Sequence, residues 1–361
     1  MLFGLPIKKK IIFDKYANDK FYNFNNKKLF KMKKDKYIVN ESPSDEDWKY
    51  ILSNSPQSSI FCEKIYLEQL ESNFKRIIFM KGNQIKAGIL LLLDETNKNI
   101  IENELIIYSG ILFVENDQIK KINKLFDNFE IQEFITDYIT SKYQNIFLPL
   151  SPEINDVRPF LWHKYHTKDK KEKFLIDVRY TSYIDISELI NNDDYFNCVL
   201  FKSMHSLRRR HLKKAYKEKH KVNISNNPNK LISFYEDLMI RQGEKIIPFK
   251  ILVMKNLIIE LIDKERGSLI EILDGDGDIL YIVFYVWDAK RAYYLFGAGN
   301  PSKSEPWQGT LAHWEAFKYL SKKKSLKVVD FEGVNSPKRG WFKLSFGGEL
   351  ITYFHLIRNL S

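Results

Sequence analysis

Apolar residues recur along this chain at two spacings, and both spacings occur in each half of the sequence. Alternation with period two predicts strands, and recurrence every three to four residues predicts helices. The elements predicted in the first half are helices at Asp45–Leu52, Cys62–Ser72 and Gln118–Lys142, and strands at Arg76–Lys81, Ile85–Leu93, Leu105–Val114, Asn145–Leu150 and Phe174–Ile186. The apolar positions of the long helix are Ile119, Ile122, Leu125, Phe126 and Phe129.

The second half repeats this order of elements. Each half places two strands around a glycine-containing turn, followed by a third strand, a helix and a fourth strand. The elements predicted in the second half are helices at Tyr195–Lys219, Asn229–Gly243, Phe249–Lys264 and about Pro306–Lys323, and strands at Ser268–Leu273, Ile279–Trp287, Ala292–Gly297, Leu326–Phe331 and Glu349–Ile357. The predicted fold class is α/β, with two tandem lobes of mixed, mostly antiparallel sheets flanked by helices.

Length and composition are consistent with two lobes. A chain of 361 residues, 44% of them hydrophobic, can bury two ordinary cores. The predicted organisation is a basic N-terminal extension over residues 1–44, an N-terminal lobe over 45–180 and a C-terminal lobe over 181–361. The C-terminal lobe contains most of the candidate site residues discussed below.

Cysteine usage and the length of the apolar runs predict a cytoplasmic protein. The two cysteines, Cys62 and Cys198, are isolated, so we expect no disulfide framework and a reducing compartment. Residues 1–12 lack the apolar run and the cleavage site of a signal peptide. No stretch of the sequence approaches the length of a transmembrane helix.

The net charge of +11 is concentrated in two segments. Residues 1–40 contain eleven lysines against three aspartates, and residues 202–221 contain nine lysines and arginines against Glu218. Such segments attract phosphate-bearing partners, and the candidates are a nucleotide, CoA, tRNA and an anionic membrane surface. For the N-terminal segment, a solvated charged face is the alternative interpretation.

Several common catalytic and metal-binding patterns are absent or incomplete. The sequence has no GxSxG, Walker A or GxGxxG motif. Asp274, Asp276 and Asp278 have the opening spacing of an EF-hand loop but lack its later glycine and glutamate. His163 and His166 have no further ligand signature, so no metal site is expected. Direct acyl transfer to an amine needs only two positioned substrates, a base and donors for the oxyanion.

The first candidate segment is the basic helix predicted around Arg208. On a helical projection of residues 203–217, Arg208 falls within the apolar face that contains Leu207, Leu212 and Ala215. A buried guanidinium needs a carboxylate, a carbonyl or a ligand phosphate, because an unpaired buried charge is costly. Arg208 is therefore either one half of a structural salt bridge or a phosphate-binding residue.

The second candidate segment joins a strand to a helix. A loop rich in glycine and serine over residues 297–305 leads into a helix that begins near Pro306, with Trp307 and Gln308 at its mouth. Free backbone N–H groups at a helix start bind phosphate or carboxylate. These residues either line a donor-binding channel or form an ordinary helix start with proline in the first turn.

The third candidate segment contains two carboxylates followed by cations. Asp330 and Glu332 are two residues apart on a predicted strand, so both side chains should point to the same face. Neighbouring carboxylates can raise the pKa of one of them toward that of a general base. Lys338 and Lys343 follow closely, and they either bind an anionic group of the substrate or neutralise the two acids in an ion-pair cluster.

These segments resemble the FemAB-type aminoacyltransferases and their GNAT-fold relatives. The resemblance rests on the run Leu207–Ala215, on Asp330-Phe-Glu-Gly and on Phe342-Lys-Leu-Ser-Phe-Gly-Gly-Glu349, and it covers most of residues 45–358. It implies tandem GNAT lobes with a substrate cleft between them and transfer of an acyl group to an amine.

Two features depart from the family pattern. No coiled-coil insert follows the basic helix, and the RxxGxG/A loop that holds the CoA pyrophosphate in simple GNAT enzymes is only faintly matched over Gln308–Ala312. The donor therefore stays open. An acyl-CoA co-substrate is favoured because no RNA-binding extension is visible, and aminoacyl-tRNA is the alternative. No permanently bound cofactor is expected.

The resulting functional prediction is an N-acyltransferase acting on an amine of a sugar, a nucleotide sugar or another cell-envelope or polysaccharide precursor. Asp330 or Glu332 would be the base or the amine-positioning group. Arg208 and Lys343, with Lys338, would hold anionic groups, while Trp307 and Gln308 would line the donor channel.

Two alternatives remain at this stage. The first is a tRNA-dependent enzyme that adds an amino acid to a peptidoglycan precursor. The second is a non-catalytic binding module for nucleic acid or a membrane surface.

Overall fold

The computed structural model describes residues 36–70, 72–115, 118–218 and 220–360. Most of the predicted basic extension over residues 1–44 thus lies outside the described residues. The described helices are α1 (Asp45–Asn54), α2 (Lys64–Leu67), α3 (Lys121–Lys142), α4 (Arg158–Trp162), α5 (Val199–Ser203), α6 (Ser206–Lys217), α7 (Asn229–Arg241), α8 (Pro248–Asp263), α9 (Pro306–Lys324) and α10 (Pro337–Leu344). The described strands are β1 (Ile38–Asn40), β2 (Asn73–Lys81), β3 (Gln84–Leu93), β4 (Gly110–Phe113), β5 (Ile146–Pro149), β6 (Leu175–Asp185), β7 (Lys221–Ser225), β8 (Gly267–Leu273), β9 (Ile279–Trp287), β10 (Ala292–Gly299), β11 (Val328–Asp330) and β12 (Glu349–Arg358).

Local signals explain where several elements begin. At the start of α1, the hydroxyl of Ser44 accepts a hydrogen bond from the Asp47 N–H, and the Asp47 carboxylate accepts one from the Ser44 N–H. Gly82 has a φ of 58° between β2 and β3, which is the left-handed conformation that a tight hairpin turn needs. Pro248 and Pro306 occupy the first turns of α8 and α9.

The strands form a four-stranded and an eight-stranded sheet. The first has the order β1-β2-β3-β4, and the second has the order β5-β12-β6-β11-β10-β9-β8-β7. Isolated parallel bridges between Ser109 and Leu150 and between Ile100 and Ile146 join the two sheets. All ladders between named strands are antiparallel except the one between β10 and β11. The predicted α/β fold class, with mixed, mostly antiparallel sheets flanked by helices, is confirmed.

The parallel ladder between β10 and β11 is short. It pairs Ala292 with Val329 and Tyr293 with Asp330, while β10 continues along β9 as far as Gly299. The end of β11 therefore lies beside an open part of the sheet. Asp330, the last residue of β11, is placed at this point.

The last strand returns to the first half of the chain. β12 lies between β5 and β6 and pairs antiparallel with both. The predicted boundary at residues 180 and 181 falls inside β6. The division into lobes at that residue stays a prediction.

The two halves share a hydrophobic core. One cluster contains Trp48, Phe61 and Leu90 from the first half together with Leu257 and Phe284 from the second. A second cluster packs α9 and α6 on the other face of β8–β10, and a third packs α3 against the first sheet. The candidate site lies where the first two clusters meet.

Three predicted elements differ from the structure. The helix predicted over Tyr195–Lys219 is two helices, because Met204 is extended and the His205 N–H donates to the Ser345 carbonyl. The strand predicted over Leu105–Val114 is only Gly110–Phe113. Its predicted start is a turn instead, because Asn103 accepts hydrogen bonds from the N–H groups of Leu105 and Ile106. The helix predicted over Cys62–Ser72 is only Lys64–Leu67. The elements α4, α10, β1 and β7 were not predicted.

Candidate active site

Asp330 is a fully buried carboxylate with a complete set of partners. It accepts hydrogen bonds from the Tyr108 hydroxyl at 3.0 Å, from the Thr181 hydroxyl and from the backbone N–H of Glu332 at 2.7 Å. Burial raises the pKa of Asp330, and the Thr181 hydrogen bond and the positive charge of Arg291 oppose this rise. These contacts make Asp330 a link between the two halves of the chain.

Glu332 lies beyond the end of β11, in a turn. Its φ of 49° is left-handed, which is uncommon for a residue other than glycine. The expectation that Asp330 and Glu332 share one strand face is therefore wrong. The strand ends at Asp330, whose carboxylate holds the Glu332 N–H and so fixes the turn.

The Glu332 side chain is buried, and its Oε1 atom has no hydrogen-bond partner among the described residues. Burial raises the pKa of Glu332 well above its ordinary value, and the negative charge of Asp330 raises it further. The positive charge of Lys343 acts in the opposite direction. A buried carboxyl with a raised pKa and a free acceptor atom has the properties of a general base.

Lys343 extends from α10 toward the same turn. Its Nζ donates to the main-chain oxygens of Glu332 at 2.9 Å and Gly333 at 3.3 Å, and it lies 5.4 Å from the centre of the Tyr294 ring. Burial lowers the pKa of Lys343 to about 8, while the charge of Glu332 opposes that change. The ammonium therefore stays mostly charged at neutral pH and has one N–H left to donate.

A cleft of about 340 Å³ lies beside this turn, between the two halves of the chain. Its wall from the first half includes Glu102–Glu104 and its wall from the second half includes Gly333 and Lys343. Arg179 and Arg339 also line it. The cleft gives a small substrate access to the Lys343 side of the site.

Arg208 is buried, and no acidic side chain among the described residues forms a salt bridge with it. Its Nη1 donates to the Thr310 hydroxyl at 2.7 Å and lies 3.2 Å from His211 Nδ1, while its Nε has no partner in the described part of the chain. The guanidinium lies 4.8 Å from the centre of the Phe342 ring. Burial lowers the pKa of Arg208, and among the described residues no carboxylate forms an ion pair with it. Of the two interpretations that the sequence leaves open, the structural salt bridge is thus not found among the described residues.

The remaining predicted site residues are Trp307, Gln308 and Lys338. Trp307 packs against the His220 ring at 4.7 Å and beneath Lys214 Nζ at 5.2 Å. Gln308 is buried, and its Oε1 accepts a hydrogen bond from the Glu305 N–H at 2.8 Å, so it caps α9. Lys338 is exposed in the first turn of α10. Their binding roles stay predictions.

Two residues that the sequence analysis did not select belong to this region. Tyr108 holds Asp330 across 222 positions of sequence, and no local pattern marks it. His313 on α9 is fully buried among aromatic rings, where its Nδ1 lies 2.6 Å from the Tyr285 hydroxyl and its Nε2 has no partner within the described ranges. Burial lowers the pKa of His313 to about 3, so the imidazole is neutral. The only sequence signal for His313 is its position within the apolar pattern of the long helix α9.

Comparison with solved structures places this arrangement in a known fold. The crystal structure of FemX aligns with a TM-score of 0.58 and 13% identity, over 88% of this chain and 96% of FemX. A conserved protein of unknown function from Bacteroides thetaiotaomicron aligns with a TM-score of 0.51 and 9% identity, over 89% of this chain and 99% of its own. The chain has a FemAB-like GNAT fold.

A further structure, a tandem GNAT protein from the clavulanic acid biosynthesis pathway, aligns with a TM-score of 0.49 and 8% identity over 89% of this chain and 97% of its own. No family model matches the chain, and no curated protein matches its sequence. The alignment with FemX confirms the predicted resemblance at the level of the fold.

The described ranges contain neither a metal-binding cluster nor a helix that could span a membrane. No group of three or more His, Cys, Asp or Glu side chains in those ranges could hold a metal ion. None of the helices described there is both long and apolar enough to cross a bilayer.

Proposed function

We propose that this protein is an N-acyltransferase that moves an acyl group from an activated donor to an amine of a sugar, nucleotide sugar or cell-envelope precursor. The observation that carries the proposal is the buried carboxyl of Glu332, whose Oε1 has no partner among the described residues. Lys343 lines the cleft and holds the main chain of the same turn. A free acceptor and an ammonium on one turn suit a reaction in which one site gains a proton and another gains negative charge.

The reaction needs no covalent enzyme intermediate. The acceptor amine donates an N–H to Glu332 Oε1, and its lone pair attacks the carbonyl carbon of the donor. Glu332 takes the proton as the new C–N bond forms, and the remaining N–H of Lys343 stabilises the oxyanion. Collapse of the tetrahedral intermediate expels the thiol or ribose hydroxyl, which takes up the proton.

Asp330 acts here as a positioning residue. Both of its carboxylate oxygens accept internal hydrogen bonds, and one of these bonds holds the backbone of Glu332 in the left-handed turn. Because that conformation is unfavourable for glutamate, the hydrogen bond decides where the Glu332 carboxyl points.

An acyl-CoA remains the favoured donor. Arg208 has a buried guanidinium without an acid and stands beside Phe342, the residue before Lys343. A phosphate of the donor would supply the negative charge that this guanidinium lacks. The capping of α9 by Gln308 leaves fewer free N–H groups at that helix start, so Arg208 is the better candidate for the phosphate contact.

Aminoacyl-tRNA is the second candidate donor, and the surface of α6 favours it. Arg210, Lys213, Lys214 and Lys217 are exposed along this helix, which also carries Arg208. Exposed cations in a row suit a polyphosphate backbone. Stabilisation by CoA esters in a thermal-shift assay would support the first donor, and a steeply salt-dependent shift with tRNA would support the second.

The test of the catalytic proposal is Glu332→Gln. We expect kcat to fall by about 10²–10⁴-fold, because glutamine cannot take the proton. The matched control is Glu349→Gln, since Glu349 is an exposed glutamate on β12. Equal activity of both variants would contradict the assignment of Glu332 as the base. If the unchanged protein transfers no acyl group but binds nucleic acid, the non-catalytic binding module would be favoured.

A further inference from the structure

The apolar stripe of α3 does not face the core along its whole length. Ile122, Leu125, Phe126 and Phe129 follow the spacing i, i+3, i+4, i+7, which marks one face of a helix. Phe126 is 67% exposed and Ile122 is 55% exposed, whereas the buried residues of α3 begin at Ile131. The first half of α3 therefore presents an apolar face to solvent.

This face continues onto α4 and the turn after it. The rings of Phe129 and Trp162 lie 5.4 Å apart, and the Arg158 guanidinium lies over both of them. Trp162 is 50% exposed and Tyr165 is 64% exposed. We call this surface the α3–α4 patch, and its exposed members are Ile122, Leu125, Phe126, Leu161, Trp162 and Tyr165. Single exposed apolar residues need no explanation, but a contiguous group of them marks an interaction surface.

Lysines lie at the two ends of the α3–α4 patch, at the start of α3 and after α4, while α3 between them also carries acidic residues, including the exposed Asp127. Lys120 and Lys121 are exposed at the start of α3, and residues 161–173 contain five lysines against two acidic residues. The first turn of α3 contains no acidic residue. Because cations at a helix N-terminus oppose the helix macrodipole, these lysines do not serve the stability of α3. Residues 120–142 contain four lysines against four acidic residues, and residues 156–173 contain six cations against three acidic residues, so the excess of positive charge lies on the α4 side. A lysine rim with this net charge beside an apolar centre fits a partner that is negative outside and apolar inside.

We infer that the α3–α4 patch docks on the surface of an anionic lipid bilayer. Exposed Phe, Leu and Ile enter the boundary between head groups and acyl chains, Trp162 and Tyr165 lie at the level of the head groups, and the lysines contact lipid phosphates. This inference is independent of the acyl-transfer chemistry.

Charge argues against the other occupants. Residues 1–40 contain eleven lysines against three aspartates, so placing that segment on a lysine rim would bring like charges together. A second copy docked face to face would oppose the same two rims. Single-stranded RNA suits the cations and the aromatic rings, but the aliphatic part of the patch, Ile122, Leu125 and Leu161, stacks no bases.

The test is flotation of the full chain with vesicles of phosphatidylcholine alone and with vesicles that also contain phosphatidylglycerol. We expect binding to the anionic vesicles only, weakening as salt is added. The pair Phe126→Ser and Trp162→Ser should reduce binding at least about tenfold, and the pair Lys170→Gln and Lys171→Gln should do so too, because each lysine near the surface contributes on the order of fivefold.

The matched control is the pair Phe249→Ser and Leu252→Ser on α8, whose side chains are exposed to a similar extent. It should bind anionic vesicles as well as the unchanged protein does. Absence of binding by the unchanged protein would overturn the inference. So would binding that neither pair on the patch reduces, since the contact would then lie elsewhere, for example in residues 1–35. Stronger binding to single-stranded RNA, or a dimer that Phe126→Ser and Trp162→Ser dissociate, would assign the patch to those partners instead.

Discussion

At the scale of single residues, the site combines a saturated carboxylate with an unsatisfied one. Asp330 has partners for its oxygens, whereas Glu332 Oε1 has none among the residues that the structure describes. A buried polar atom without a partner costs stability, and a catalytic role is one reason for a protein to keep it. The contrast between these two neighbours is why we assign the proton transfer to Glu332 and the positioning to Asp330.

The raised pKa of Glu332 predicts how stability depends on pH. The folded state holds the Glu332 proton more tightly than the unfolded chain, so this stabilisation is present below the ordinary glutamate pKa and is lost as pH rises through the folded value. Glu332→Gln cannot ionise. We expect this variant to have an unchanged free energy of unfolding at about pH 4. At about pH 7 we expect its free energy of unfolding to be higher by on the order of 1 kcal/mol.

Urea unfolding at the two pH values measures this difference, with Glu349→Gln as the exposed control. Both conditions lie below the pKa of about 8 of Lys343, so the charge of that lysine is the same in each. If Glu332→Gln were destabilised equally at both pH values, the effect would not come from ionisation of the Glu332 carboxyl, and this prediction would be wrong.

At the scale of elements, α10 and the turn before it form one structural unit. Lys343 on α10 donates to the carbonyls of Glu332 and Gly333. A Cβ on Gly340 would lie 2.3 Å from the main-chain oxygen of Val334, so only glycine lets α10 pack this closely on the turn. The distance between Lys343 and Glu332 depends on that packing.

Gly340→Ala should therefore push α10 away from the turn. We expect a loss of about 1–3 kcal/mol in stability and a fall in kcat, because the Lys343 hydrogen bonds lengthen. Gly275→Ala is the matched control, since a Cβ there meets no atom within 4 Å and the residue lacks a positive φ. Thermal unfolding and steady-state kinetics measure both effects. If Gly340→Ala keeps full activity, the position of Lys343 is not set by this contact.

The same elements show what could be predicted from sequence. α9 has a long apolar pattern with clear start signals, and its predicted bounds agree with the structure to within a residue. α10 has only eight residues, with Pro337 at its start and Gly340 inside, so local propensity argues against a helix there. The burial of Arg208 could be predicted because it lies on an apolar stripe, but the left-handed turn at Glu332 has no sequence signal.

At the scale of the whole molecule, the halves are joined by more than a linker. Arg291 pairs with Glu153 at 2.9 Å, and Lys290 donates to Ser58 at 2.6 Å. β12 inserts between β5 and β6 at the end of the chain. The repeated order of elements predicts two lobes, but it contains no information on which strand the last one pairs with. The site depends on these long-range contacts, since Tyr108 and Asp330 come from different halves.

The shared core predicts that the halves unfold together. One cluster contains Trp48 and Leu90 from the first half and Leu257 and Phe284 from the second, so neither half can open without exposing apolar surface of the other. In hydrogen exchange followed by mass spectrometry at increasing urea, peptides from β3 and β8 should lose protection at the same concentration. Leu90→Ala and Leu257→Ala should each lower that common midpoint, since each removes about 2–5 kcal/mol. Separate midpoints, or a substitution that affects only its own half, would mean that the two lobes are independent and that the cleft between them can open without unfolding.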